Sequence, residues 1–408
     1  MASIREDLRA RVFRANPSFS LIPLAEISER LPAALPLLDG LRSDQDCFGV
    51  ALPVADPRLG AKAVCRQTAA LLASLRVAQT LPVEVTRMPG LRFDRDLAGL
   101  VSDGLLEVEI EGEFQSGPAA QAALALAALP HSADSASARL SYAALRYAQA
   151  LPELDMAWLA GRLYHYNQVP ESPRWCRQLA TPADVQSLLG LRSGQLSTRI
   201  LERAFIPRNA RHGPDATGWH VWSLRSGPRS SPAEGELLGP KGTFKLYLSP
   251  RPEALAEAFA KAVPVLAEFQ VLQFKVGRDR SNVLRPDKFV AYFARHADLE
   301  SAAAALTAEL AGLPAQGVPF TAAVDAEGLL SWGVDPPLSD RIAGWNARES
   351  WRLWIVHRLA RALIVARHES VDIEPWLHAL NRVALDGIDI DTWAPAIDLW
   401  QADSAASS

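Results

Sequence analysis

The sequence has few of the residues that build disulfide frameworks, metal sites or membrane spans. Its 408 residues include three cysteines, Cys47, Cys65 and Cys176, at spacings that match no metal-binding motif. Such a sparse and odd number predicts reduced thiols in the cytosol. The longest apolar run, residues 119–130, is too short to span a bilayer, and residues 1–13 lack the apolar core of a signal peptide. We therefore expect a soluble, cytoplasmic protein without a membrane partner.

An excess of positive charge is also missing. The formal net charge is −4 at pH 7, whereas non-specific binding to nucleic acid requires a large excess of Lys and Arg. The sequence contains no Walker-type loop, dinucleotide-binding glycine fingerprint, serine-nucleophile elbow or kinase signature. We therefore expect no nucleic-acid partner, and no signature of these enzyme classes is present.

The length predicts more than one domain, because 408 residues exceed what one compact core usually organises. We place a first domain at residues 1–150, a helical connector with a Gly-, Pro- and Ser-rich loop at residues 151–235, and a third unit at residues 236–400. The predicted fold class is α+β, with a helix-covered sheet in the third unit. A mostly helical N-terminal region with a wing-like hairpin precedes that unit.

The N-terminal region has a helical pattern at residues 62–77 and a hairpin pattern at residues 106–114, with a turn at Glu111 and Gly112. A helix that feeds a hairpin is typical of a small winged-helix unit, which binds nucleic acid or, along the hairpin edge, a peptide. The interpretation that we favour is that the hairpin only closes a core. Four glutamates would in any case repel a DNA backbone from it, namely Glu107, Glu109, Glu111 and Glu113.

The middle of the chain combines helical patterns with an aromatic segment. Residues 136–161 are Ala-rich and helical in pattern, and they lead into a polar-aromatic segment at residues 164–175. The aromatic side chains there either pack between domains, which we favour, or line a peptide groove. A further helix is predicted at residues 188–205, and residues 207–240 have the composition of a linker or a mobile functional loop.

The third unit alternates strand and helix patterns. Residues 242–250 alternate apolar and polar side chains, residues 252–269 form an amphipathic helical pattern, and two more strand patterns follow at residues 271–279 and 285–293. Another helix is predicted at residues 299–310. This order predicts an α+β layer in which helices cover one sheet.

Basic residues lie inside these predicted strands. Lys245 shares a strand face with Tyr247, Lys275 lies between two apolar neighbours, and Arg285 and Lys288 open the third strand. Converging Arg and Lys side chains suit a phosphate group, since Arg offers a planar pair of donors and Lys a point charge. The ordinary alternative is that these side chains lie on the solvent face of a half-buried sheet.

Three segments of the third unit carry a resemblance to a known family. FKLYLSP at residues 244–250, QFKVGRD at residues 273–279 and LRPDKFVAYF at residues 284–293 resemble phosphothreonine lyase domains. That family includes secreted bacterial effectors, the lyase domains of class III and class IV lanthipeptide synthetases, and the Hop-type effector-like lyases of class V lanthipeptide clusters. The resemblance implies a lyase-like fold for the third unit.

The resemblance also implies a role for each basic residue. Lys275 falls where the family places the lysine that removes the α-proton, and Lys245 on a lysine that holds the phosphate and acidifies that proton. Arg285 falls in the phosphate-binding segment, with Lys288 near it. Tyr247 stands where the family usually has a histidine as general acid. A tyrosine whose pKa is lowered by neighbouring cations could donate that proton, or the domain could bind phosphopeptide without turnover.

The function that the resemblance implies is elimination of phosphate from phosphoserine or phosphothreonine in a phosphorylated precursor peptide. The product residues would be dehydroalanine or dehydrobutyrine, made during maturation of a ribosomal peptide natural product. This chemistry needs no metal and no organic cofactor, and a separate kinase would supply the phosphate. Two alternatives stay open: a non-catalytic module that binds a phosphopeptide or a partner enzyme, and a DNA-binding regulator that uses the hairpin.

Other candidates have weaker patterns. Residues 329–337 predict a turn-rich loop, which either packs a tryptophan or helps to shape a pocket. Residues 351–367 predict a core helix with one apolar stripe, which leaves His357 and Arg358 in solvent. His212 and His220 fall in the predicted loop before residue 242, where either could replace the missing acid, although a lone loop histidine is more often simply exposed.

Overall fold

The computed structural model describes residues 10–31, 45–83, 91–123, 134–191, 194, 196–208, 218–225, 243–336, 350–367 and 373–396. Within these ranges the chain combines helices with antiparallel sheets, in agreement with the predicted α+β class. His212 and the predicted boundary between residues 235 and 236 lie outside the described residues. The domain boundaries therefore stay predictions.

The N-terminal part of the chain forms two small antiparallel sheets, with strand orders β5-β1-β6-β7 and β2-β3-β4. The strands are β1 (Val12–Ala15), β2 (Phe19–Pro23), β3 (Cys47–Pro53), β4 (Lys62–Cys65), β5 (Gln79–Thr80), β6 (Leu106–Ile110) and β7 (Glu113–Gln115). The helices are α1 (Leu24–Arg30), α2 (Arg66–Ser74), α3 (Leu91–Ser102) and α4 (Gly117–Ala123).

This part of the chain contains more strands than the sequence patterns predicted. Seven strands precede α4, and β2 and β3 lack the strict alternation that identifies a strand from sequence. The helix predicted at residues 62–77 begins only at Arg66, because β4 pairs with β3 up to Cys65. β6 and β7 pair with each other, but β6 also pairs with β1, so this hairpin is part of a four-stranded sheet.

Helices fill the middle of the chain: α5 (Ala136–Ala150), α6 (Met156–Tyr164), α7 (Pro173–Gln178), α8 (Pro182–Leu188) and α9 (Leu196–Ala204). The single helix predicted at residues 136–161 is therefore two. Leu151 caps the C-terminal end of α5, and Pro152 follows it. A proline at this position disfavours continuation of the helix. α6 then starts anew at Asp155, whose side chain accepts a hydrogen bond from the Trp158 N–H at 2.8 Å.

A seven-stranded antiparallel sheet occupies the C-terminal half, in the order β13-β14-β10-β12-β11-β9-β8. Its strands are β8 (Phe205–Arg208), β9 (Trp219–Leu224), β10 (Phe244–Leu248), β11 (Gln273–Gly277), β12 (Phe289–Phe293), β13 (Ala322–Ala323) and β14 (Leu330–Val334). The helices between them are α10 (Leu255–Glu268), α11 (Arg280–Val283) and α12 (His296–Glu309). The strand and helix patterns predicted between residues 242 and 310 are present, with shorter strands.

Helices cover both faces of this sheet. One face presents Phe244, Leu246 and Leu248 to α10 and α12, as the alternation of β10 predicts. The other face presents Tyr247 and Val290 to a helical layer made of α5, α6, α13 (Trp351–Arg367) and α14 (Pro375–Leu385). The side of the sheet that carries Tyr247 therefore lies under α6 and α13.

The prediction of a turn-rich loop at residues 329–337 is wrong, because residues 330–334 form β14 and pair with β10. Gly333 in this strand has a packing role. A Cβ atom at Gly333 would lie 2.3 Å from Cδ1 of Trp351, so only glycine lets the first residue of α13 pack against the strand. The Trp351 indole N–H donates to the carbonyl of Phe320 at 2.9 Å and fixes the ring there.

α13 is buried on every side, which corrects the prediction that His357 and Arg358 are solvated. These two side chains are 1% and 5% exposed. Helices α4, α5, α6 and α14, the short helical turn Pro57–Leu59 and strand β14 pack around α13, so almost none of its residues faces solvent. Its buried arginines need partners instead, and Arg358 Nε donates to Asp386 Oδ2 at 2.8 Å.

Candidate active site

Lys245, Tyr247 and Lys275 lie on the same face of the seven-stranded sheet. Across β12, Lys245 is the register partner of Tyr292, and Val290 is the register partner of both Tyr247 and Lys275. Directly opposed residues in antiparallel strands share a face, so the three side chains point to the same side. β10 and β11 flank β12, which separates the two lysine strands by about 10 Å, a gap that two long side chains can bridge.

Lys275 and Arg285 contact the same indole ring, that of Trp219 in β9. Lys275 Nζ lies 4.1 Å from the ring centroid, and Arg285 Cζ lies 5.3 Å from it. Trp219 is the register partner of Gly277, so β9 brings the ring beside the end of β11. Cation–π attraction holds both cations at one aromatic surface, and the structure thereby brings Lys275 and Arg285 together.

Asp287 links Arg285 to Arg352 of α13. Asp287 forms a bidentate pair with Arg285, in which Oδ1 accepts from Nε at 2.8 Å and Oδ2 accepts from Nη2 at 2.9 Å. Asp287 Oδ2 also lies 2.8 Å from Arg352 Nη1. Burial alone would raise the pKa of Asp287, but the charges of Arg352 and Arg285, with that of Lys275, hold this pKa well below its ordinary value. The carboxylate stays ionised and keeps two guanidinium groups side by side.

Tyr164, the last residue of α6, adds a second link between the two arginines. Its hydroxyl accepts from Arg285 Nη2 at 2.9 Å, and its backbone carbonyl accepts from Arg352 Nη2 at 2.6 Å. The two Cζ atoms lie 5.0 and 4.6 Å from the ring centroid. Burial raises the pKa of Tyr164, and Asp287 raises it further, so the phenol stays neutral. The start of the polar-aromatic segment is therefore part of this cluster and not only a connector.

Lys245 lies on the same sheet face as Lys275, on the other side of β12. Its side chain is 9% exposed, its Nζ is 2.6 Å from Asp335 Oδ1, and it lies 5.6 Å from the ring centroid of Tyr292. Asp335 Oδ1 also accepts from the backbone N–H of Trp351 at 2.9 Å, which fixes the carboxylate at the start of α13. Lys245 therefore adds a positive charge to this face of the sheet, in an ion pair with a positioned partner.

Tyr247 is 3% exposed and lies in the field of the same groups. Burial raises its pKa well above 10, the charge of Asp335 raises it further, and Arg352 acts in the opposite direction. The expectation that neighbouring cations lower this pKa is wrong, because desolvation and the Asp335 carboxylate outweigh them. The Tyr247 hydroxyl is protonated at neutral pH and is a weak acid.

His165 follows Tyr164 and is exposed at the edge of the cluster. The two rings are 5.5 Å apart and edge-on, and His165 Nδ1 lies 2.9 Å from Gln168 Oε1. Partial burial lowers the pKa of His165, the Gln168 hydrogen bond raises it, and the charges of Arg285 and Arg352 lower it. His165 is thus a titratable group within the field of both arginines.

Lys288 and His220 make their contacts away from the cluster. Lys288 is fully buried, and its Nζ donates to the Pro250 carbonyl at 2.8 Å and to Gln316 Oε1. Burial lowers the pKa of Lys288 to about 7. His220 belongs to β9 and not to a loop, and as the register partner of Val276 it lies on the sheet face opposite to Lys275.

Sequence reasoning did not assign four of the side chains that hold the cations in place, namely Trp219, Asp287, Tyr292 and Arg352. Asp287 had a local signal, since it follows Arg285 by two residues. Arg352 also had one, because an arginine inside an apolar helical run implies a buried partner. Tyr164 belonged to the polar-aromatic segment, for which a packing role and a peptide groove were both left open, and Trp219 reaches the cluster through long-range packing.

The cluster combines four cationic side chains with two carboxylates: Lys245, Lys275, Arg285, Arg352, Asp287 and Asp335. With all of them ionised, two positive charges remain in excess, which matches a phosphate monoester dianion. Within the described residues, no group of three or more His, Cys, Asp or Glu side chains could hold a metal ion. None of the helices in those residues is long and apolar enough to cross a membrane.

Comparisons with known proteins gave solved structures only. No family model and no curated protein matches this chain. An effector protein from Pseudomonas syringae pv. tomato strain DC3000 aligns over 64% of this chain and 98% of its own, with 14% identity and a TM-score of 0.38. A second effector, from Pseudomonas syringae pv. syringae strain 61, aligns over 63% and 98%, with 12% identity and a TM-score of 0.34.

A phosphothreonine lyase effector of Chromobacterium violaceum also aligns, over 55% of this chain and 99% of its own. The identity is 14% and the TM-score is 0.25. Every one of these TM-scores is below 0.5, so we draw no functional argument from the similarities. The functional argument depends on the side chains of the cluster.

Proposed function

We propose that this protein is a lyase that eliminates phosphate from phosphoserine or phosphothreonine in a precursor peptide, during maturation of a ribosomal peptide natural product. One observation carries the proposal: Lys275, Arg285 and Arg352 meet at one place, around the rings of Trp219 and Tyr164. A phosphate needs several cations at one place, and an elimination needs a base beside them. The peptide context comes from the resemblance of residues 244–293 to phosphothreonine lyase domains.

In the proposed step, Lys275 acts in its neutral form, which leaves one positive charge in excess in the cluster, and its amine takes the proton from Cα of the phosphorylated residue. The ammonium group formed in this way restores the second excess positive charge as the phosphate leaves. The electron pair of that C–H bond forms the Cα=Cβ double bond, and the Cβ–O bond breaks with its electrons going to phosphate. Arg285, whose side chain is 16% exposed, binds the phosphate oxygens as charge moves onto them, and the buried Arg352 and Lys245 add positive charge on the same side of the sheet. A separate kinase installs the phosphate.

A proton donor assists when the phosphate leaves, and two side chains compete for this role. Tyr247 occupies the position that the sequence resemblance assigns to the acid, but its raised pKa makes it a weak donor. His165 is exposed beside the arginines, and a bound phosphate dianion would favour its protonated form. A His165→Gln variant with unchanged turnover would assign the role to Tyr247, and a Tyr247→Phe variant with unchanged turnover would assign it to His165.

The direct test uses synthetic phosphoserine and phosphothreonine peptides with a mass-spectrometric readout. We expect wild-type protein to remove the mass of phosphoric acid and Lys275→Ala to lose this activity by 10²-fold or more, about the contribution of a positioned base. Lys261→Ala is the matched control, because Lys261 pairs with Glu257 on α10, a helix that covers the other face of the sheet. Equal turnover in the two variants would contradict the assignment of Lys275.

A second function is favoured by one specific observation, the weak acidity of Tyr247. The same cluster would then hold a phosphopeptide without converting it. In that case wild-type protein binds the phosphorylated peptide more tightly than its unphosphorylated form, and the peptide mass stays unchanged. Loss of binding in Arg285→Met would show that the cluster is the binding site.

A further inference from the structure

A second cationic centre lies on another side of α13, between this helix and the N-terminal part of the chain. Arg361 is 1% exposed, and its Nη1 donates to the carbonyl of Leu59 at 3.0 Å. The Nε and Nη2 atoms of Arg361 are buried, and no residue that the structure describes accepts a hydrogen bond from either. One side of a buried guanidinium is therefore left without an acceptor.

The carboxylate of Asp103, whose charge acts on Arg361, already pairs with two other cations. Asp103 accepts from Arg382 Nε at 2.6 Å and from Arg382 Nη2 at 3.1 Å, and it also pairs with Lys62 Nζ. The negative charge of Asp103 raises the pKa of Arg361, although the two side chains form no ion pair. Burial lowers the pKa of Arg361 and is the larger effect. Asp103 is thus paired with Arg382 and Lys62, and the charge of Arg361 has no counter-ion of its own among the described residues.

A buried guanidinium in this state is costly unless an anion compensates it. The two N–H groups at Nε and Nη2 project in parallel and match the two oxygens of a carboxylate or phosphate group. We propose that Arg361 binds an oxyanion through Nε and Nη2, at a site separate from the Lys275 cluster. Its ligand class is a small molecule that presents a phosphate or carboxylate group.

A cavity shares one side chain with the surroundings of this guanidinium. The ring of Phe19 lies 5.8 Å from Arg361 Cζ, and Phe19 also lines a cavity of about 340 Å³. Asn16, Leu72 and Arg76 line the same cavity, which combines apolar walls with one further cation. The volume is large enough for a small organic anion, and Arg361 does not line it, so the proposal requires the Phe19 ring to move before an anion reaches Nε and Nη2.

Thermal unfolding with added anions tests the site. At constant ionic strength set with chloride, the melting temperature is measured against inorganic phosphate in one arm and acetate in the other. Arg285→Met serves as the background, since it removes an anion-binding arginine of the Lys275 cluster. In this background we expect the melting temperature to rise with the logarithm of anion concentration, in the arm whose oxyanion the site accepts.

The double variant Arg285→Met/Arg361→Met should lose that rise, because methionine fills similar space without the two donors. If the double variant keeps the same anion response, or if neither anion stabilises the Arg285→Met protein, the proposal is wrong and water solvates the guanidinium. Calorimetric titration of Arg285→Met with the stabilising anion gives an answer even if the double variant does not fold. One site whose affinity is unchanged when Lys275→Ala is added to Arg285→Met supports the proposal. No binding, or a site that is lost with Lys275→Ala, overturns it.

Discussion

Replacing Asp287 by asparagine should weaken the fold and strengthen phosphate binding at the same time. The substitution keeps the shape of the side chain but removes the charge that pairs with Arg285 and Arg352, whose side chains are 16% and 1% exposed. Breaking a buried ion pair by removing one partner costs about 3–5 kcal/mol. We expect a cost near the lower limit, about 3 kcal/mol, because the amide oxygen of asparagine still accepts one hydrogen bond.

The same change leaves two guanidinium groups without their counter-ion at the proposed phosphate site. Removing one negative charge next to a dianion should tighten phosphate binding by about tenfold or more, which corresponds to about 1.4 kcal/mol. Inorganic phosphate should therefore stabilise Asp287→Asn at lower concentrations than it stabilises the wild-type protein. The loss of stability and the gain in affinity have one cause, and both must appear.

The effect of Asp287→Asn also depends on pH. The pKa of Asp287 is depressed in the folded state, so its stabilising contribution is complete above the unfolded-state pKa of about 4 and is lost as the pH falls below it. The difference in the free energy of unfolding between the wild-type protein and Asp287→Asn should be constant from about pH 5 to about pH 8. It should shrink in more acidic buffer.

Urea unfolding followed by tryptophan fluorescence measures the stability, and repeating it with phosphate measures the response. Asp298→Asn is the matched control, since Asp298 pairs with Arg295 on the surface, where their side chains are 41% and 75% exposed. That pair should contribute little. If Asp287→Asn loses stability without a stronger phosphate response, the two guanidinium groups do not face a site that phosphate can reach, and the proposed function loses its support.

Two further predictions concern packing and protonation. Gly333→Ala should destabilise the protein by about 1–3 kcal/mol in urea unfolding, because the added Cβ would overlap Trp351. The control Gly161→Ala should not destabilise it, since nothing lies within 4 Å of the added Cβ. Equal stability of the two variants would contradict the packing of α13 on β14. Burial lowers the pKa of His378 to about 4, so its neutral form stabilises the fold fully above pH about 6.5, and about 3 kcal/mol is lost as the pH falls towards 4. His378→Asn should remove this part of the acid sensitivity, and an unchanged pH profile would contradict it.

Local patterns predicted the parts of the fold that local rules determine. The alternation of residues 244–248 placed the apolar side chains of β10 on the face covered by α10 and α12, and Lys245 and Tyr247 on the other. Residues 330–334 were missed as a strand, because β14 is buried on both faces and contains Gly333, so neither alternation nor composition marks it.

The site was predictable only in part for a related reason. Strand alternation is sufficient to place Lys245 and Lys275 on one face once β12 is known to lie between them. The position of Lys288 was not predictable in this way, because its partners Pro250 and Gln316 lie at an isolated β-bridge and in the irregular chain beside it, which have no simple sequence pattern. The groups that orient the arginines come from distant parts of the chain, and Tyr164 is one of them.

The surroundings of α13 show why a charged residue in an apolar helical run indicates a buried hydrogen-bond or ion-pair partner. Arg352 and Arg361 are nine residues apart, which is two and a half turns, so they project from opposite sides of the helix at a separation of about 13 Å along its axis. A helix at the protein surface would send one of them into solvent. Here Arg352 meets Asp287 in the sheet cluster, while Arg361 meets the backbone carbonyl of Leu59. The lack of an amphipathic stripe in α13 is therefore a consequence of its place between two cationic centres, of which the second still has donors available for an anion.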